Sequence, residues 1–168
     1  MNFPKVTVAL ISYNQENFIR AAAESCLSQD YRGSLEIIFS DDFSTDATFD
    51  IMTSIADSYR GPHKVVLRRN SKNVGIGMHY NTVISIATGE LIVTAAGDDI
   101  SISGRVSSIV DFWIDKGLTE VDAKLKIKSQ RKMNTEYWTV RGYSITDAEL
   151  EVKISTEICK HQCTKTTR

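Results

Sequence analysis

Apolar residues fall in short blocks along this chain, and the blocks alternate between two periodicities. Residues 6–11 read V-T-V-A-L-I, a run with almost no polar face, as a strand buried on both sides requires. Phe18, Ile19, Ala22, Ala23, Cys26 and Leu27 then recur at helical spacing. They predict a helix over about 16–28 with Asn14 as its N-cap. The alternation repeats. A strand is predicted over 35–39, then a helix bearing Phe49, Ile51, Met52, Ile55 and Ala56, capped by Thr45 or Asp46. A third strand covers 64–68, a helix about 78–87, a fourth strand 91–96 and a helix about 104–116, with Val106, Ile109, Val110 and Trp113 as its stripe. Beyond Leu118 the pattern weakens. An edge strand over 122–133, another strand over 138–143, a helix over 148–158 and a frayed polar end over 160–168 are its readings.

Strands alternating with helices predict an α/β fold, a mostly parallel sheet built from right-handed βαβ units. Such sheets bind ligands beyond the carboxyl ends of their strands. Three polar clusters stand directly after strands: Ser12-Tyr13-Asn14, Asp41-Asp42 and Asp98-Asp99. They are expected to converge on one edge.

Each cluster has a chemical and a plain reading. The adjacent carboxylates of Asp98 and Asp99 repel unless a cation neutralises them, and Mg²⁺ or Mn²⁺ prefers such oxygens and bridges to phosphates. Alone, the pair is more often a turn. Tyr13 offers an aromatic face to a nucleobase, or packs at the sheet edge. The Asp41-Asp42 pair can accept from a base imide or a ribose hydroxyl, or caps a loop. The 70–77 loop, N-S-K-N-V-G-I-G, lets backbone approach a ligand through its glycines. It is neither a phosphate-binding Walker loop nor a dinucleotide fingerprint.

Composition narrows the classes. The chain has 168 residues, 42% hydrophobic and 24% charged, with net charge −1. That suits one folded domain and gives no field that would gather nucleic acid. No apolar run approaches the roughly 20 residues of a bilayer span. With no leader-like start, a cytoplasmic location, or a peripheral one at the inner face of the membrane, is the expectation. Three cysteines make no disulfide framework. Cys26 reads as core. Cys159, His161 and Cys163 lack the fourth ligand of structural zinc.

Taken in order, the stretches V-T-V-A-L-I-S-Y-N, S-C-L-S-Q-D-Y, L-E-I-I-F-S-D-D-F-S-T-D, N-V-G-I-G and G-E-L-I-V-T-A-A-G-D-D resemble the family-2 glycosyltransferases of the GT-A fold, over residues 4–118. The resemblance implies a donor-binding domain over 1–118 and a divergent, short acceptor-side segment over 119–168. It implies that a nucleotide-sugar, a UDP-sugar foremost, is held by Ile11, Tyr13, Asn14, Asp42, Asn73, Gly75, Asp98 and Asp99. Asp98, with Asp99 beside it, would carry Mn²⁺ or Mg²⁺. The implied reaction is inverting transfer of the sugar to an acceptor hydroxyl of a glycan or lipid-linked acceptor, in polysaccharide synthesis.

Three departures stand out. Ala96 replaces the first Asp of the family's D-x-D motif, and Tyr80 replaces an Arg before Asn81. No Glu-Asp pair follows Asp99 to serve as base, and only Asp147 and Glu149 are acids worth testing. A nucleotide-sugar binder without turnover is therefore the alternative expectation. A nucleotidyltransferase ranks third, because Ser12-Tyr13-Asn14-Gln15-Glu16 is neither glycine-rich nor basic.

Overall fold

The computed structural model describes residues 3–115, 138–140 and 143–144. The expectations for the 122–133 strand, the 148–158 helix, Asp147, Glu149, Cys159, His161 and Cys163 lie outside the described residues. Within them the chain runs β1 (Val6–Ser12), α1 (Ile19–Leu27), β2 (Leu35–Asp41), α2 (Thr48–Ser58), β3 (Lys64–Arg69), α3 (Ile76–Ile86), β4 (Leu91–Ala96), α4 (Arg105–Asp115), β5 (Trp138–Val140) and β6 (Tyr143–Ser144).

The sheet order is β3-β2-β1-β4-β5-β6. β1 pairs in parallel with β2 and β4, and β2 with β3, while β5 joins β4 antiparallel. The chain thus builds outward from β1 to β3, then returns to place β4 on the other side of β1. Between β1 and β4 the strand order reverses, which opens a crevice at the carboxyl end of the sheet.

Every residue of β1 and β2 is buried. The two-residue period sends Val6, Val8, Leu10, Ile37 and Phe39 into the larger core, where Ile19, Ala23 and Cys26 of α1, Met52 of α2 and Val106 and Val110 of α4 meet them. Ala9, Ile11, Ile38 and Ile92 face a smaller cluster closed by Val83 of α3 and Ala87. Burying each large aliphatic or aromatic side chain contributes about 1.5–3 kcal/mol.

Two caps differ from expectation. α1 begins at Ile19, and Phe18 at its N-cap gives no side-chain bond. Asn14 instead takes a left-handed φ of 51°, and its Oδ1 accepts Thr45 N–H at 2.8 Å. A tertiary donor outcompetes the helix end because Asn tolerates that backbone region. At α2, Asp46 Oδ1 does accept Thr48 N–H at 3.0 Å, though Ala47 is the N-cap.

Gln29 fixes the start of α4. Its Oε1 accepts Val106 N–H at 3.0 Å and its Nε2 donates to Ile102 O at 2.9 Å. The segment after Asp98-Asp99 is thereby pinned to the end of α1.

Candidate functional site

Register brings the polar clusters together. Ile11 lies beside Ser40 on one flank and Ala96 on the other. Asp42 N–H donates to Ser12 O at 2.9 Å, and Gly97 N–H to Ile11 O at 2.9 Å. The loops after β1, β2 and β4 therefore leave the sheet side by side, at the order reversal.

The first two loops are laced to each other. Asn14 N–H donates to Ser44 Oγ at 2.8 Å and Gln15 N–H to Thr48 Oγ1 at 2.7 Å. Ala47 N–H returns to Glu16 Oε2 at 3.0 Å. Phe43 is held at φ 65°, strain a bulky residue accepts only where neighbours impose it. The neighbour is Arg69, whose guanidinium lies 5.1 Å from the Phe43 ring centre and 5.0 Å from that of Phe49. Its Nε pairs with the fully buried Asp41 at 3.0 Å. Asp41 also accepts Ser44 N–H at 2.9 Å. Asp41 is thus committed to the loop.

Asp42 is buried as well. Its Oδ1 accepts Asn70 Nδ2 at 2.6 Å and Val74 N–H at 3.0 Å, and its Oδ2 accepts Gly75 N–H at 2.9 Å. Burial opposes its ionisation. The Asn70 amide, the Val74 N–H, nearby His79 and the Gly75 N–H outweigh burial and hold the carboxyl below its usual range. A carboxylate offers about four lone-pair sites, and Asn70, Val74 and Gly75 fill three of them. Gly75 reaches Asp42 at φ 77°, a conformation in which glycine carries no Cβ penalty. Asn73 Oδ1 accepts the same Gly75 N–H at 3.1 Å, so Asn73 shapes the loop.

The other expected residues divide by exposure. Tyr13 is 45% exposed at the mouth of the crevice, its ring open to a stacking partner. Ile11 is buried under α3, and its carbonyl accepts Gly97 N–H. Asp98 and Asp99 are exposed just past β4, and no hydrogen bond or ion pair joins their carboxylates to a described residue. The pair forms no group of three metal-binding side chains among the described residues. It suits a divalent ion whose other ligands are phosphate oxygens and water. Beneath the pair, Gly97 has no room for a Cβ, which would stand 2.2 Å from Gln15 Oε1 and 2.9 Å from Ser12 Cβ. That Gln15 oxygen is buried without a hydrogen-bond partner among the described residues.

The sequence reading missed Ser40, Arg68, Asn70, His79 and Gln15. Arg68 Nη2 donates to Asn70 Oδ1 and its Nη1 to Ser40 Oγ at 2.5 Å. Ser40 Oγ lies 2.6 Å from His79 Nε2. One signal was available: His79 stands four residues before Val83, on the face of α3 that turns inward.

A family model for glycosyl transferase family 2 matches residues 7–163. The chain belongs to that family. It is 34% identical over 107 residues to the Escherichia coli UDP-Glc:alpha-D-GlcNAc-diphosphoundecaprenol beta-1,3-glucosyltransferase WfaP, an alignment covering 64% of this chain and 40% of WfaP. Among solved structures, S. aureus TarS in complex with UDP-GlcNAc matches with a TM-score of 0.58 and 25% identity, over 66% of this chain and 31% of TarS. The mannosyltransferase PcManGT of Pyrobaculum calidifontis, in complex with GDP-Man and Mn²⁺, matches with a TM-score of 0.55 and 28% identity, over 61% and 29%. This family-2 chain therefore spans well under half the length of these relatives, and its parallel sheet with flanking helices is the GT-A fold. No helix among the described residues is long and apolar enough to cross a membrane.

Proposed function

We propose that this chain binds a UDP-sugar at the β1–β4 crevice and transfers the sugar, with inversion, to a hydroxyl of a glycan or lipid-linked acceptor in polysaccharide synthesis. The observation that carries the reading is the convergence at one sheet edge of exposed Tyr13, the carboxylate of Asp42, and Asp98 and Asp99, whose carboxylates are unpartnered among the described residues.

Each group has a task. Tyr13 stacks on the base. Asp42 accepts its imide N–H. Asp98, supported by Asp99, holds Mn²⁺ or Mg²⁺, which stabilises the charge of the departing diphosphate. With Ala96 ahead of them, these two carboxylates carry the whole acidic part of the motif. The acceptor oxygen forms its bond to the anomeric carbon as the carbon–phosphate-oxygen bond breaks. Its proton passes to a carboxylate base, and UDP leaves.

We assign donor binding to residues 1–118 and the acceptor side to 119–168. The four parallel strands and α1–α4 all fall within the first of these. WfaP, whose name specifies a UDP-Glc donor and a diphosphoundecaprenol-linked acceptor, supports the substrate class, and we place the chain at the inner face of the membrane, where a lipid-linked acceptor would be met.

Calorimetry of the chain with UDP and with GDP, each with and without Mn²⁺, tests this. UDP should bind more tightly with the ion. Absence of UDP binding under both conditions would discard the donor site.

A further inference from the structure

His79 lies on α3, outside every motif of the crevice, yet a line of hydrogen bonds runs from it to Asp42. It is 1% exposed. Its Nε2 is 2.6 Å from Ser40 Oγ, and Ser40 Oγ is 2.5 Å from Arg68 Nη1. Arg68 Nη2 bonds Asn70 Oδ1, and Asn70 Nδ2 is 2.6 Å from Asp42 Oδ1.

The polarity of that line is fixed at one point. A guanidinium only donates, so Ser40 Oγ accepts from Arg68. Ser40 Oγ has a second lone pair and one proton. In the tautomer that gives that proton an acceptor, Nε2 accepts from the hydroxyl and the neutral imidazole carries its own proton on Nδ1. At the far end, Asn70 accepts from Arg68 through Oδ1, which turns its amide toward Asp42. A second proton on His79 would take that acceptor from Ser40 and add a charge next to Arg68.

We propose that neutral His79 is a positioning residue for nucleotide recognition, holding Asp42 and the 73–75 loop in place through Ser40, Arg68 and Asn70. The inference rests on Asp42 being the base-recognising carboxylate. Three charged groups face the ring: Asp42 and Asp41 from the end of β2 and Arg68 from β3. Burial first, and Arg68 with it, disfavour the imidazolium, while the two carboxylates favour it. The balance keeps His79 below the usual imidazole value, so the line is intact at neutral pH and loosens in acid.

Two measurements on the full chain test it. The first is nitrogen-15 NMR without ligand. It should show the His79 proton on Nδ1, and the Val74 and Gly75 amides should shift in step with His79 titration. His79→Gln, whose carbonyl replaces the Nε2 acceptor, should abolish that titration. A proton on Nε2, or amides indifferent to His79, would overturn the line.

The second is calorimetry with UDP and GDP. His79→Leu should weaken binding about tenfold, as expected when a buried donor loses its partner, and His79→Gln should stay within about twofold of wild type. Wild-type affinity should fall in acid more steeply than that of His79→Gln, which carries only the ligand's own titration. Leu and Gln variants that bind alike would overturn the positioning role. If the amides follow His79 but neither nucleotide binds the wild type, the donor-site reading fails, and the role of His79 in recognition falls with it. The wild-type and Gln measurements decide even if the Leu variant does not fold.

Discussion

Asn70 donates its side-chain amide to Asp42 at 2.6 Å, tying the residue after β3 to the residue after β2. The bond sits where two parallel neighbours leave the sheet. It lets a single carboxylate organise the 73–75 loop.

Asp42→Ala should therefore lose both stability and nucleotide binding. The buried Asn70 amide would lose its acceptor, at about 1–3 kcal/mol, Val74 N–H would lose its own, and Gly75 N–H would keep only Asn73. Urea unfolding should report the stability loss, and UDP titration an affinity decrease of about tenfold or more. Wild-type affinity in this variant would remove Asp42 from the site.

Asp98→Asn should separate binding from folding. Its carboxylate is exposed and makes no bond to the described fold, so thermal unfolding should be unchanged. The Mn²⁺-dependent part of UDP affinity should vanish, with a smaller loss for Asp99→Asn. Retention of the metal effect in Asp98→Asn would shift the ion elsewhere.

Two glycine substitutions should fail for different reasons. At Gly75 a Cβ meets nothing within 4 Å, but φ is 77° and ψ 159°, so Gly75→Ala should cost about 1–3 kcal/mol through the backbone alone. At Gly97 a Cβ would strike Gln15 and Ser12. Gly97→Ala should cost about 1–3 kcal/mol through overpacking and should also disturb the crevice. Denaturant midpoints with parallel UDP titrations distinguish them: the Gln15 contact would be irrelevant if Gly97→Ala bound UDP normally.

Acid should weaken the fold through Glu36. This buried carboxylate accepts Lys64 Nζ at 2.8 Å, Thr7 Oγ1 at 2.9 Å and Thr88 N–H at 2.9 Å. Burial opposes its ionisation, but Lys64, the Thr88 N–H and Thr7 win and bring its pKa down from 4.5 to about 2. A depressed carboxylate stabilises the folded state above its unfolded pKa. The contribution, about 3 kcal/mol at 1.36 kcal/mol per pH unit, is present above about pH 4.5 and drains away as pH falls towards 2. Urea unfolding at pH 7 and pH 3 should show the loss in the wild type. Glu36→Gln should be less stable at pH 7 and flatter across that interval, and an equally steep profile in the variant would clear Glu36.

The strands and helices up to Asp115 were legible in sequence because burial imposes period. β1 and β2 have no solvent face, so they read as unbroken apolar runs. α1, α2 and α4 each cover one face of the sheet and keep a stripe. The rule that ligands sit beyond strand ends then placed Tyr13, Asp42 and Asp98 on one edge before any coordinate was known. The cap on α1 was misread because Asn14 suits a helix start and a left-handed turn equally well, and only the nearness of Thr45 selects between them.

What the sequence determined by itself is the α/β order, the family and the edge at which the acidic clusters meet, since these follow from local periodicity and short ordered motifs. Tertiary structure alone decided which partners each acid takes. Asp41 and Asp42 are adjacent in sequence, yet Asp41 bonds Arg69 and Ser44, while Asp42 bonds Asn70 and the 74–75 backbone. It also decided that His79, unremarked in its helix, belongs to the same polar line. Those assignments depend on partners brought close across β2, β3 and α3, and hydrogen-bond saturation is a property of that proximity rather than of residue order.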